Sequence, residues 1–185
     1  MIEVIAGTNR AGSNSLKVAH ILAGIYRSFG EDVQILDLAE LPREVFRPDA
    51  YKEKPAAFTP YQERVLAADG LHVVVPEYNG SFPGVLKYFV DMLKFPESFE
   101  HRCVAYTGIA AGQWGGLRAV EQLQMVFGYR SAYNLPERVW IPGVGKLLSE
   151  DGTLNDGQYH ERLENQVREF LAFVERNRAL ATGTN

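Results

Sequence analysis

Three short stretches of the chain carry the residue types that could do chemistry. The first, Gly7-Thr8-Asn9-Arg10-Ala11-Gly12-Ser13-Asn14-Ser15-Leu16, is crowded with hydroxyls and holds one arginine. It opens a helix, and helix N-termini leave backbone N–H groups unpaired and carry partial positive charge. Hydroxyls from Thr8, Ser13 and Ser15 add donors, and Arg10 offers a planar fork to phosphate oxygens. The stretch reads as a phosphate cradle. The bland alternative has Ser13 or Asn14 capping the helix and Arg10 in solvent; capping explains one hydroxyl but not the cluster. No Gly-Lys-Ser/Thr follows, so this is not a nucleotide P-loop, and the Gly-x-Gly-x-x-Gly dinucleotide fingerprint is missing.

The second stretch is Pro76-Glu77-Tyr78-Asn79-Gly80-Ser81-Phe82-Pro83-Gly84. A carboxylate, an aromatic ring and an amide leave a strand end together and can present polar backbone groups and a flat wall to a planar ring. Ordinary turn chemistry is the competing account, with Asn79-Gly80 as a tight turn, Ser81 as helix N-cap and Pro83 in the first helical turn. The third stretch is Thr107-Gly108-Ile109-Ala110-Ala111-Gly112-Gln113-Trp114-Gly115-Gly116, whose glycines permit close backbone approach to a ligand or simply make a flexible connection. Trp114 is placed to shield a ring or to pack as a lid.

Alternating strands and helices position these loops. Strands are expected at 2–6, 33–36, 71–75, 102–107 and 137–141. Helices are expected at 14–29, at 59–69 with Thr59 as N-cap, from Ser81 to Leu93, at 116–127 and at 157–177. Residues 42–57, with Pro42, Pro48 and Pro55, read as a surface loop with one short helical turn, and 181–185 as a frayed tail. Five strands alternating with five helices imply an α/β fold with a parallel sheet covered on both faces. Ligands of such sheets lie beyond the carboxyl ends of the strands, where all three stretches fall.

The three stretches together resemble the NADPH-dependent FMN reductase family of flavodoxin-like proteins. The carrying residues are Gly7-Thr8-Asn9-Arg10 with Ser13 to Leu16, then Pro76 through Lys87, then the Gly112, Gly115, Gly116 loop. The resemblance covers the chain in element order and implies a three-layer flavodoxin-like fold with sheet order 2-1-3-4-5, residues 1–185 forming a single FMN-binding domain. It implies that Thr8, Arg10, Ser13 and Ser15 hold the FMN phosphate, with Asn14 and Leu16 beside it. Pro76, Glu77, Tyr78 and Asn79 would border the isoalloxazine, Gly80 would complete the turn, and Thr107 and Gly108 would stand near the ring's other edge. The implied activity is hydride transfer from NADPH (or NADH) to bound FMN and on to a small acceptor: a quinone, an azo compound, chromate or free flavin. No catalytic acid, base or metal is required. The family often has Ser at position 8 and Asn at position 88, where this chain has Thr8 and Tyr88. Relatives use paired subunits, which implies a homodimer or homotetramer; Phe46, Tyr51 and Phe58 are candidates to cover a neighbour's pocket.

Composition narrows the field. The 185 residues carry 19 Lys plus Arg against 23 Asp plus Glu, a net charge of −4, which argues against phosphate-neutralising nucleic-acid binding. Cys103 is the only cysteine, so neither a disulfide framework nor a cysteine-rich zinc site is available. His20, His72, His101 and His160 show no metal-ligand spacing, and His72 and Cys103 read as packing residues. With no basic, apolar leader and no membrane-length apolar run, a cytoplasmic protein is expected. Two rival functions stand beside the reductase. A flavodoxin-type electron carrier would be more acidic, and a non-catalytic phosphate-ligand module would not prefer FMN over phosphate.

Overall fold

The structure, a computed structural model, describes residues 1–181; of the expected frayed tail, Ala181 ends a helix and the rest lies outside the described residues. Five parallel strands form one sheet in the order β2-β1-β3-β4-β5, the expected flavodoxin-like order. They are β1 Ile2–Ala6, β2 Val33–Asp37, β3 Gly70–Pro76, β4 Cys103–Ile109 and β5 Tyr133–Ile141. The three central strands are buried at every residue and the two edge strands only in part. Near-continuous apolar runs are what a strand covered on both faces requires.

Strand alternation sorts these runs into two cores. Ile2, Val4, Ala6 and Val74 pack on one side against α1 (Asn14–Ser28) and α6 (Gly157–Ala181). Ile5, Leu71, Val73 and Val75 pack on the other against α2 (Thr59–Ala67), α3 (Gly84–Met92) and α4 (Leu117–Tyr129). Glu3 interrupts the first apolar run and is fully buried. Arg64 of α2 reaches it with two parallel bonds, Nε to Oε2 at 3.0 Å and Nη2 to Oε1 at 2.6 Å. Cys103 opens β4 between Gly70 and Tyr133, 3 % exposed, and burial pushes its thiol up to about 11.

Several boundaries differ from expectation. β5 begins at Tyr133 because its register with β4 slips between Val104 and Tyr106, and Pro136 falls in that irregular stretch of an edge strand. α3 begins at Gly84, behind Pro83, and Ser81 is not its cap. Asn79 and Gly80 both take positive φ, the signature of a tight hairpin turn, which pairs Tyr78 with Ser81 and keeps the chain out of the helix until Pro83. Thr59 does not cap α2 either: it is already helical, behind Phe58. The 42–57 segment holds turns of 3-10 helix at Arg43–Phe46 and, running past its end, Ala56–Phe58. Phe58 is buried, whereas Phe46 and Tyr51 lie against Tyr88 of α3 at 4.9 and 5.5 Å between ring centres. A short helix, α5 (Val144–Leu147), follows β5. No described helix is long and apolar enough to cross a membrane.

Candidate functional site

A cleft of about 370 Å³ opens at the carboxyl ends of the strands. One wall is the β1–α1 loop, from Arg10 to Ser15; the opposite wall is Pro76-Glu77-Tyr78; Ile109 at the end of β4 and Ala110 and Ala111 just after it form the floor. Val144 and Gly145 of α5 close the third side. Gly7 lets β1 leave the sheet beside β3, since a Cβ there would stand 2.6 Å from the Val74 carbonyl oxygen.

The cradle is built as an anion site. Ser13 caps α1, its hydroxyl oxygen accepting from Leu16 N at 3.1 Å, which leaves its own O–H free to donate. The Ser15 hydroxyl, in the first turn, is buried and has no hydrogen-bond partner among the described residues. A buried hydroxyl with no partner at a helix N-terminus is a donor awaiting an acceptor. Arg10 makes no ion pair among the described residues. On the facing wall, Glu77 Oε2 is also buried without a partner. The Glu77 backbone N–H donates to Ile109 O at 3.0 Å, which ties that wall to the floor.

Of the residues singled out in the sequence, Arg10, Ser13, Asn14, Ser15, Pro76, Glu77 and Tyr78 line the cleft. Thr8, Leu16, Asn79, Gly80, Thr107 and Gly108 do not. Thr8 is fully buried and its hydroxyl pairs with the Tyr78 hydroxyl at 2.8 Å, which links the two walls from behind. Thr107, the last residue of the expected strand, and Gly108 both lie inside β4, which runs on to Ile109.

The Thr107 side chain faces α6 and belongs to an interior chain of hydrogen bonds. Thr107 Oγ1 donates to Gln166 Oε1 at 2.8 Å and so accepts from His72 Nε2 at 2.9 Å. His72 Nδ1 then accepts from the Tyr26 hydroxyl at 2.8 Å. Every donor is used in one direction, which holds the imidazole neutral, and burial drives its pKa down to about 3. Val144 and Gly145 lie outside the three stretches, and the only sequence signal for them is Gly143 and Gly145 flanking Val144 just after a strand. Trp114 stands 58 % exposed in the loop before α4.

A family model described as NADPH-dependent FMN reductase matches residues 1–145. Over 179 residues the chain is 28 % identical to an NAD(P)H-dependent FMN reductase of Pseudomonas aeruginosa, covering 94 % of this chain and 95 % of that protein. Over 185 residues it is 28 % identical to a quinone reductase of Pseudomonas putida, covering 97 % of each. In three dimensions it matches FerB, a flavoenzyme NAD(P)H:(acceptor) oxidoreductase from Paracoccus denitrificans, with a TM-score of 0.75 at 21 % identity, covering 95 % of this chain and 97 % of that one.

Proposed function

The chain belongs to the NADPH-dependent FMN reductase family, and from that premise we propose that it passes electrons from NADPH, or NADH, through FMN held in this cleft to a small acceptor: a quinone, an azo compound, chromate or free flavin. Residues 1–185 act as one FMN-binding domain. The observation that carries the siting is the pairing, across one cleft, of a helix N-terminus holding an unpartnered buried hydroxyl with an aromatic turn holding an unpartnered carboxylate oxygen.

The residues present fit the cofactor. Arg10, Ser13 and Ser15 offer donors to a phosphate, with Asn14 alongside and Leu16 behind them in the first turn of α1. Pro76 and Tyr78 offer the flat wall, and Glu77 offers a buried acceptor for a ring-edge N–H. Thr8 steadies Tyr78, Asn79 and Gly80 turn the chain away beyond it, and Thr107 and Gly108 support the floor from within β4. When bound, the flavin supplies a two-electron centre that accepts hydride from a nicotinamide and returns the electrons to an acceptor. The protein's part would be to offer the ring the Pro76–Tyr78 wall and its phosphate the first turn of α1. No side-chain acid, base or nucleophile is assigned.

The same reading takes the chain as a homodimer or homotetramer. In support, a second cavity of about 460 Å³ runs between α3 and α4, where Phe95, Met125 and Tyr129 are exposed apolar side chains.

Anaerobic mixing of FMN-loaded protein with NADPH and then NADH, followed at the flavin absorbance band, tests the reading. The expected result is retained FMN bleached in one two-electron step, with the faster donor identified. FMN retained but never reduced would move the protein to the electron carriers. No FMN uptake would overturn the assignment of the cleft.

A further inference from the structure

We propose that Gln122, on α4, is a positioning residue for the flavin site: its side-chain amide latches the 78–81 turn that carries Tyr78 into the cleft wall. The inference rests on the FMN site proposed above. Gln122 lies outside all three stretches that the sequence singled out, 41 residues from Ser81 in the chain.

The contacts are reciprocal. Gln122 Oε1 accepts from Ser81 Oγ at 2.5 Å, and Gln122 Nε2 donates to the Gly80 carbonyl oxygen at 3.2 Å. A carbonyl can only accept, so the amide has one orientation that serves both partners. The turn's own bonds, Tyr78 N to Ser81 O at 2.8 Å and Ser81 N to Tyr78 O at 3.1 Å, close it on itself without fixing it to the rest of the protein. Its near side is fixed by Glu77 N to Ile109 O at 3.0 Å and by the Thr8–Tyr78 hydroxyl pair at 2.8 Å. Among the described residues, Gln122 is the only side chain that hydrogen-bonds its far side.

The other end of the latch is anchored in the core. Ala119, Val120, Leu123 and Phe127 are buried, which fixes the rotation of α4 and leaves Gln122 facing outward toward the turn. Gly116, with φ of +85°, starts the helix against β4; a Cβ there would meet Ile109 N at 2.7 Å. Only glycine permits that approach without displacing the backbone. α4 is thus seated on the residue that also forms the floor of the cleft. Gln122 transfers that fixed position to the opposite wall, whose backbone would lie beside the ring and influence its potential.

The test compares wild type with Gln122→Leu, which removes both bonds, and Gln122→Glu, which keeps an acceptor for Ser81 but no donor for Gly80. Amide hydrogen exchange is measured first on flavin-free protein. In Gln122→Leu, exchange at Tyr78 and Ser81 should quicken about three- to tenfold, the effect of losing a surface hydrogen bond, while amides of β4 stay as they were. Unchanged exchange at the turn, or equal quickening in β4, overturns the latch. FMN titration by flavin fluorescence should then give a dissociation constant raised about three- to tenfold, with an intermediate rise in Gln122→Glu. The midpoint potential of the bound flavin should shift in the same order, while inorganic phosphate affinity stays constant. An unchanged FMN affinity and potential also overturns it. If wild type takes up no FMN, the site reading fails on its own, and the flavin-free exchange data still decide the latch.

Discussion

Arg10 sits at the lip of the cleft with no acidic partner among the described residues, so its charge is available to a ligand. Arg10→Ala should weaken FMN binding by about 1.5–3 kcal/mol, the worth of a hydrogen bond to a charged group; equilibrium titration checks this, and unchanged affinity removes Arg10 from the site. Thr8 makes a different prediction. Thr8→Val leaves the Tyr78 hydroxyl without its partner and should cost about 1 kcal/mol in stability and loosen FMN, while Thr8→Ser should restore both; thermal unfolding and titration distinguish them. The split between these residues also explains what the sequence made legible. Arg10, Ser13, Asn14 and Ser15 follow the strand end and can only face the helix N-terminus, so composition sufficed to find them. Thr8 turns inward because of where β1 ends, and Thr107 because strand alternation points it at Gln166 of α6, a partner 59 residues away that no local pattern reveals. Val144 and Gly145 reach the cleft only through the sheet's tertiary arrangement.

At the scale of elements, two buried polar arrangements hold the layers in register. Glu3 is 0 % exposed and depends on Arg64 from α2. Burial raises its pKa and the guanidinium opposes the rise. Arg64→Met should therefore destabilise the protein by about 3–5 kcal/mol, because it strands a buried carboxylate, and the double variant Glu3→Leu/Arg64→Met should recover most of the loss. Urea midpoints for the three variants read this directly. The second arrangement joins α1, β3, β4 and α6 through His72. Its folded pKa of about 3 lies below the ordinary 6.5, so the unfolded chain takes up the proton first. Its contribution is complete above pH 6.5 and is lost as pH falls toward 3, at up to about 1.4 kcal/mol per pH unit. His72→Gln should flatten the acid side of the stability profile by that slope; an identical profile would show that the imidazole charges freely in the fold. Neither arrangement was legible beforehand. Glu3 sits inside an apolar run and its partner is 61 residues away, while His72 looks like any strand histidine until Thr107 and Gln166 are brought to it. The order of the five strands and the five longer helices was legible, since apolar period and Gly or Pro punctuation are local properties; the four-residue α5 is too short to show a period.

At the scale of the molecule, the cleft and the α3–α4 face are separate surfaces joined by Gln122, whose side chain lines the α3–α4 cavity and also holds the turn at the cleft. Met125 and Tyr129 are 72 % and 81 % exposed. Met125→Lys with Tyr129→Lys should shift a homo-oligomer toward monomer in sedimentation equilibrium without unfolding it; an unchanged mass would place the subunit contact elsewhere. The sheet carries one more consequence, in Cys103. This lone thiol stands at the start of β4, buried in the core beneath α6 and held protonated at neutral pH. An alkylating reagent can reach it only when that core opens, with α6 lifting from the sheet. With reagent in excess, the modification rate is a stopwatch for the opening of this core, built into the chain without a label or a mutation. Slower tagging in the presence of FMN would time how firmly a ligand at one edge holds this core shut.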